Sequence, residues 1–430
     1  EVFDGFVVAV AEGGVEELIL AINKPQEENR QWVIDQCLQF EVNVLTVPSV
    51  DRWIDGGFSF RQIEKIQVED LLERDPIKLE HAGIQERVEA RRILITGAAG
   101  SIGSEIVRQI SAFAPEQLIL VDQDESGLHE LAIELENLNP ELRFSVRVAS
   151  IRDALRMRYV FKVLTPDLIF HAAAYKHVPL MEDNPEEAVA TNVLGTKTVI
   201  DLAIEFDAKE FVLVSTDKAV NPTSIMGGTK RLSEIYARTK GYDSNTRFIV
   251  TRFGNVLGSK GSVIPLFQKQ IEKGGPITVT HPEVTRFFMT IQEAAQLVIE
   301  ASALGKGGEI FLFDMGRSVR IIDLARKMIK LSGLRPGEDI KIKVTGLRPG
   351  EKLYEELLTK GENTLPTHHP RIMVAQVQML PQGEVEGFFK ELPSLVEAQD
   401  GERIKERIRE FIPEFYFPVQ EEKKGEEHSP

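Results

Sequence analysis

The sequence predicts an α/β protein whose main sheet is parallel and covered by helices on both faces. Three observations carry this. Six short apolar runs, ILIT, LILVD, FSVRV, DLIFHAA, EFVLVST and RFIVTRF, recur from Ile93 onward with helical patterns between them. Such strand–helix alternation is the pattern of a parallel sheet buried on both sides. The first run ends in a glycine-rich turn, GAAGSIG, that opens an amphipathic stretch. At 430 residues, the chain also exceeds one ordinary core, which points to more than one domain.

Taken in order, residues 1–75 alternate apolar runs (FVVAV, ELILAI, NVLTV) with a helical pattern around NRQWVIDQCLQF. They predict a partial N-terminal α/β domain. Residues 76–91 are charged and lack an apolar stripe, so a linker is expected there. Residues 92–395 hold the repeated strand–helix units. Beyond about Gly258 the runs shorten and turns multiply (KGGP, THPE, LRPGED, LRPGEK), as a smaller C-terminal α/β lobe requires. The end, 418–430, is polar and expected to be disordered.

Composition narrows the class. The chain is 42% hydrophobic and 27% charged, that of a globular protein. A formal net charge of -16 with no basic stripe argues against a nucleic-acid partner. Cys37 is the only cysteine, so an intrachain disulfide and a cysteine-rich metal site are excluded, and no metal is expected. No apolar run approaches about 18 residues, so no membrane span is expected in this chain. It starts without methionine and is expected to be a fragment of something longer.

ILITGAAGSIGSEIVRQI sets Gly97, Gly100 and Gly103 between a strand and a helix. Glycines there permit a tight turn and close approach to a pyrophosphate, which the helix N-terminus stabilises. The next strand ends at Asp122, about twenty residues on, where a carboxylate binds ribose hydroxyls. These features make the sheet a Rossmann-type doubly wound one. Asp122 repels a 2′-phosphate, and Gln123 and Asp124 supply no arginine to receive one, so NAD is expected over NADP. Asp153 in SIRD is either a partner for the adenine amine or a helix N-cap.

The run EFVLV leads into STDKAVNPTSIMGGTK, with Thr216, Asp217 and Lys218 at the strand end and Met226 four residues before Lys230. Together with HAAAYKHVPLMEDNP, TNVLGT and GLRPGEKLYEELL, this resembles the extended short-chain dehydrogenase/reductase superfamily. It is most similar to the branch of membrane-linked bacterial UDP-N-acetylglucosamine 4,6-dehydratases and polysaccharide biosynthesis proteins. The resemblance runs roughly from Ile66 to Phe389. It also implies that the partial N-terminal domain is the tail of a nucleotide-binding-like domain.

That resemblance implies an NAD-dependent reaction on a UDP-sugar: oxidation at C4, loss of water across C5 and C6, and return of the hydride to C6. Neighbouring strand-end residues address different ring atoms, because successive side chains alternate direction. Asp217 is expected as the acid for the C6 hydroxyl and Lys218 as the C5 base. Lys218 must then be neutral, which calls for a dry site or a nearby cation such as Lys230 or the nicotinamide. Most of the superfamily has a tyrosine where Met226 stands; a thioether cannot take the C4 hydroxyl proton. Asp217, Thr216 or an ordered water are the alternatives. Long dehydratases also carry methionine here, which implies retention at C5.

By resemblance Lys230 holds the nicotinamide ribose, Ser101, Ile102 and Ala172 lie at the cofactor, and Gly227 and Gly228 let the helix approach it. Lys176 binds substrate or cofactor with His177 near it, a surface cap being the alternative for each; Asn192, grouped with the substrate site, either orders it through backbone hydrogen bonds or is a plain helix residue. The UDP end draws on Arg252, Asn255, Ser262, Arg286, Arg348, Glu351 and Lys352, since arginine forks pair with phosphate. The same resemblance implies a homo-oligomer and, in the full-length protein, an N-terminal anchor on the cytoplasmic side of the bacterial inner membrane. Two other functions fit the same fold: a UDP-sugar 4-epimerase, and a catalytically silent NAD-binding scaffold.

Overall fold

The computed structural model describes residues 15, 17–20, 27–40, 42–47, 64–65, 81–358 and 363–416. FVVAV, the first residues of the expected linker (76–80) and the expected C-terminal tail lie outside the described residues. The chain divides into two compact units, of which the larger takes in 81–253, 298–314 and 348–430.

The larger unit is built on nine strands: β1 (Arg92–Thr96), β2 (Gln117–Asp122), β3 (Phe144–Val148), β4 (Leu168–His171), β5 (Glu210–Val214), β6 (Arg247–Arg252), β7 (Ile310–Phe313), β8 (Asn363–Pro366) and β9 (Ile372–Gln376). Their order is β8-β9-β7-β6-β5-β4-β1-β2-β3. Strands β1 to β7 pair in parallel, with Ile93 beside both Leu118 and Leu168; β9 runs antiparallel to β7, and β8 to β9. The six apolar runs of the sequence are β1 to β6. IFLF returns from the later, turn-rich part of the chain to extend this sheet as β7. Leu94, Ile119, Ile169, Phe211 and Val250 are fully buried, because helices cover both faces.

Strand order reverses between β1 and β4, so the crevice outside their carboxyl ends is where ligands bind in such sheets. Gly97 follows β1 and Ala172 follows β4, and the Ala172 N–H donates to the Thr96 carbonyl at 3.0 Å. Helix α1 (Ser101–Ile110) starts from Gly100, and α2 (Ala154–Leu164) is capped by Asp153, whose carboxylate accepts from the Arg156 N–H at 2.9 Å. Helix α3 (Ile225–Tyr242) is the central one. Ser224 caps it, accepting from the Gly227 N–H at 3.1 Å, and it is buried almost continuously from Ile225 to Ala237. Helices α4 (Gln382–Glu397) and α5 (Gly401–Phe411) close the unit, with the Phe388 and Phe411 rings stacked at 4.0 Å.

Part of the expected linker is a helix. His81–Val88 buries Ile84 and Val88 completely, a spacing of four residues that forms one helical face. The chain past 395 is likewise structural: Phe415 lies against Gly228, and the Tyr416 N–H donates to the Pro222 carbonyl at 3.0 Å.

The smaller unit takes in 1–80, 254–297 and 315–347. Strands Glu17–Leu20 and Asn43–Thr46 pair in parallel, and Glu64–Lys65 adds antiparallel. Asp35 on helix Glu27–Gln39 pairs with Lys327 on helix Ile321–Leu331 at 2.8 Å. The N-terminal elements thus pack with the C-terminal lobe. Among the described residues no helix is long and apolar enough to cross a membrane.

Candidate active site

The glycine turn after β1 is shaped by close packing. Gly97 has φ +70°, and a Cβ there would lie 2.6 Å from the Ala173 nitrogen. A Cβ on Gly103 would lie 2.0 Å from the Gly97 carbonyl oxygen. Only glycine fits either position, and the turn presents the N-terminus of α1 to the crevice. Asp122 ends β2 and accepts from the Ala99 N–H at 3.0 Å, which fixes its carboxylate beside the turn. This cradle fits a dinucleotide, with Ser101 and Ile102 opening the helix and Ala172 across the turn.

Beneath it lies a histidine that the sequence reading passed over. His171, fully buried, bridges the Thr96 hydroxyl at Nδ1 (2.7 Å) and the Thr196 hydroxyl at Nε2 (2.8 Å). Burial first, and the Lys230 charge second, push its pKa down to about 3, so the ring is neutral. It ties the ends of β1 and β4 to the helix Thr196–Glu205.

Asn192 sits in a π-helical stretch, Val189–Gly195, whose wider turn directs its amide at the loop after β4. Its Oδ1 accepts from the Tyr175 N–H (2.8 Å), while Nδ2 donates to the Tyr175 carbonyl (2.9 Å) and to the Thr229 hydroxyl (3.0 Å). The amide orders the loop through these three bonds to protein groups. Lys176 and His177 follow on that loop; partial desolvation lowers the pKa of both, and the Lys176 charge adds to the shift at His177.

Thr216, Asp217 and Lys218 meet at the end of β5. The Thr216 hydroxyl donates to Asp217 Oδ1 at 2.9 Å, and Lys218 Nζ donates to the same oxygen at 3.0 Å. Asp217 is 1% exposed, and its Oδ2 is buried without a hydrogen-bond partner. Lys218 also faces Glu355, at 3.7 Å, a residue the sequence reading did not single out. Asp217 and Glu355 are thus two anions set against Lys218. Lys230 is buried and donates to the Val214 carbonyl at 2.7 Å. Burial lowers its pKa to about 8 against the opposing charge of Glu234.

Met226 is 3% exposed and belongs to the apolar core. Gly227 and Gly228 allow close packing within the protein. A Cβ on Gly227 would lie 2.2 Å from the Lys218 carbonyl oxygen, and one on Gly228 would lie 2.8 Å from the Phe415 ring. The first contact lets α3 begin directly against the turn that carries Asp217 and Lys218.

Arg252, expected at the UDP end, is engaged within the protein. Its fork closes on Glu234, with Nε to Oε1 at 2.8 Å and an NH2 nitrogen to Oε2 at 2.7 Å, and both side chains are buried. Glu234 also accepts from Ser215 (2.6 Å) and Arg231 (3.3 Å), and Arg231 reaches Glu414. Although burial raises its pKa, Arg252 and the other partners bring Glu234 down to about 2. The reason is local: Glu234 follows Lys230 by one helical turn on a helix that is buried all round, so its charge requires a buried partner.

Lys352 is likewise taken up by protein, donating to the Val220 carbonyl at 2.8 Å. Arg348 is exposed, and its N–H donates to the Glu351 carboxylate at 3.2 Å. The three other residues expected at the UDP end belong to the smaller unit. Asn255 begins a short strand, Ser262 precedes helix Val263–Glu272 with its hydroxyl buried and unpartnered, and Arg286 donates to the Thr285 carbonyl at 2.7 Å. Among the described residues no cluster could hold a metal ion.

The model of a family described as polysaccharide biosynthesis protein matches residues 93–377. A probable polysaccharide biosynthesis protein, EpsC of Bacillus subtilis, is 46% identical over 87% of this chain, which spans 62% of that protein's length. A UDP-N-acetylglucosamine 4,6-dehydratase (inverting) of Campylobacter jejuni is 35% identical over 58% of this chain and 76% of its own. A UDP-glucose 4-epimerase of Rickettsia canadensis is 37% identical over 58% of this chain and 75% of its own. Among solved structures, Pen from Bacillus thuringiensis superposes with a TM-score of 0.62 at 34% identity, covering 70% of this chain and 98% of its own. The dTDP-glucose 4,6-dehydratase DesIV of Streptomyces venezuelae, solved as a double mutant with NAD bound, gives 0.54 at 25% identity, covering 62% and 88%. The chain belongs to the polysaccharide biosynthesis protein family, on the extended short-chain dehydrogenase/reductase fold.

Proposed function

We propose that this chain catalyses the NAD-dependent 4,6-dehydration of a UDP-N-acetylhexosamine, UDP-N-acetylglucosamine first among them, to the 4-keto-6-deoxy sugar. The observation that carries the reading is Asp217: one carboxylate oxygen is held by Thr216 and Lys218, and the other is buried with no partner. Burying an unpaired carboxylate oxygen is costly unless a ligand group completes it.

Bound NAD, held by the glycine turn, Asp122 and Lys230, supplies a hydride acceptor at C4 and the same hydride at C6. The protons are then accounted for by two side chains. Asp217 takes the C4 hydroxyl proton and passes it to the C6 hydroxyl, which leaves as water. Lys218 takes the C5 proton and returns it to C5. Both residues end the cycle as they began, Asp217 as carboxylate and Lys218 as amine. Once Asp217 is protonated, one of the two anions beside Lys218 is neutral, which lowers the lysine's proton affinity when a base is required. Met226 then has no proton to move.

The 4-epimerase reading draws support from the Rickettsia relative. It employs Asp217 at C4 but leaves Lys218 without a role, because an epimerase keeps its C5 proton. Incubation with UDP-N-acetylglucosamine, UDP-N-acetylgalactosamine and UDP-glucose, with catalytic NAD, separates the two. Dehydration gives a product lighter by one water, whereas epimerisation gives an isomer of unchanged mass. Asp217→Asn is expected to lower kcat by about 10²- to 10⁴-fold with sugar binding retained. Near-normal turnover in that variant removes Asp217 from the chemistry.

A further inference from the structure

The segment Arg348–Leu358 is bound along the turn that carries Asp217 and Lys218. Thr223 donates to the Gly350 carbonyl (3.1 Å), Lys352 to the Val220 carbonyl (2.8 Å), and Asn221 to Glu356 (2.8 Å). Beside them Glu182 accepts from the Ile225 N–H at 2.6 Å. These bonds fix the strap at both ends of the 220–225 loop, and between them it delivers Glu355, whose side chain is only 3% exposed.

We infer that Glu355 is a positioning residue for the catalytic lysine: its buried carboxylate, 3.7 Å from Lys218 Nζ, holds the amine against Asp217 and stabilises its protonated form. This rests on the dehydratase reading for its consequence in turnover, but not for its geometry. Asp217 on its own turn and Glu355 on the strap both face Lys218. Lys352, Glu356 and Glu182 meet the same loop at Val220, Asn221 and Ile225. When Lys218 holds the C5 proton, Asp217 has just given its own away, so two carboxylates share one ammonium. That arrangement keeps the proton at the site until it returns to C5. A lysine with four rotatable bonds and one partner is less well directed than one held from two sides.

Glu355→Gln is the test, with two readouts. The first needs no turnover: competitive acetylation of Lys218 by acetic anhydride across pH, followed by peptide mass spectrometry, gives the midpoint at which its amine becomes reactive. Losing an opposite charge at this distance is expected to move that midpoint down by about 1 to 3 pH units. The second is kinetic: kcat falls by about 10²-fold, KM changes little, and the rising limb of the pH profile moves to lower pH. Glu355→Asp, which keeps the charge but withdraws it, moves the midpoint the same way by less and carries the test should the glutamine variant not fold. An unmoved labelling midpoint in the folded variants overturns the inference, whatever the reaction is. A moved midpoint in a chain that dehydrates no UDP-sugar keeps the positioning role and rejects the dehydratase reading.

Discussion

Arg252→Met removes the partner of a fully buried carboxylate, and the consequence is calculable. Glu234 is 0% exposed and Arg252 1%, joined by two hydrogen bonds of 2.8 and 2.7 Å. Breaking a buried pair by deleting one member costs about 3–5 kcal/mol, because the other charge stays buried. The pKa of Glu234 points the same way: burial raises it, and mainly Arg252, with Arg231 and Ser215, brings it down. Its folded value of about 2 lies below the ordinary 4.5, which at 1.36 kcal/mol per pH unit is about 3 kcal/mol. Because the folded value is the lower one, that stability is fully present above pH 4.5 and is lost as pH falls toward 2. Urea denaturation followed by far-ultraviolet circular dichroism should show the variant less stable by about 3 kcal/mol at pH 7. The gap should narrow at pH 3, where wild type loses its share. Adding Glu234→Gln should recover part of the loss. A variant that denatures at the wild-type midpoint, yet needs far more UDP-sugar to saturate, would refute the buried-pair account and make Arg252 a phosphate ligand.

Two further variants test the frame of the site. His171→Asn should remove a pH dependence of stability. The folded ring titrates at about 3, below its ordinary 6.5, so the unfolded chain takes up the proton first. Wild type should therefore lose about 2 kcal/mol more than the variant between pH 7 and pH 5 in matched urea series. Met226→Leu should keep kcat within about threefold and cost less than about 1.5 kcal/mol, since the thioether fills core volume and moves no proton; a loss of orders of magnitude would give Met226 a chemical role.

The sheet was legible where its pattern is local. β1 to β6 each stand out as apolar runs followed by turn residues, and the glycine turn carries its own spacing. β7 did not stand out, because IFLF lies among the short runs and turns of the later chain and its partner β6 is distant in sequence. Thr216, Asp217 and Lys218 could be found because strand-end polar residues break an apolar run. Arg252 was read as a UDP-end residue for the same reason: it also ends a strand, and nothing local shows that Glu234 closes over it. Glu355 and His171 were missed because their meaning depends on partners far along the chain, Lys218 in one case and Thr96 in the other. A residue type shows what a side chain is able to do. Only the fold shows whether that capacity is already used by the protein.

The central claim, that one hydride moves from C4 to C6 while Lys218 handles the C5 proton, is tested most directly by following hydrogen isotopes. UDP-N-acetylglucosamine deuterated at C4, turned over in ordinary water, should give a product with that deuterium in its C6 methyl group. Unlabelled substrate turned over in heavy water should acquire deuterium at C5, as the Lys218 amine exchanges with solvent before returning its proton. Mass spectrometry and proton NMR of the products read both positions. Deuterium retained at C4, with none entering at C5 from heavy water, would contradict the account.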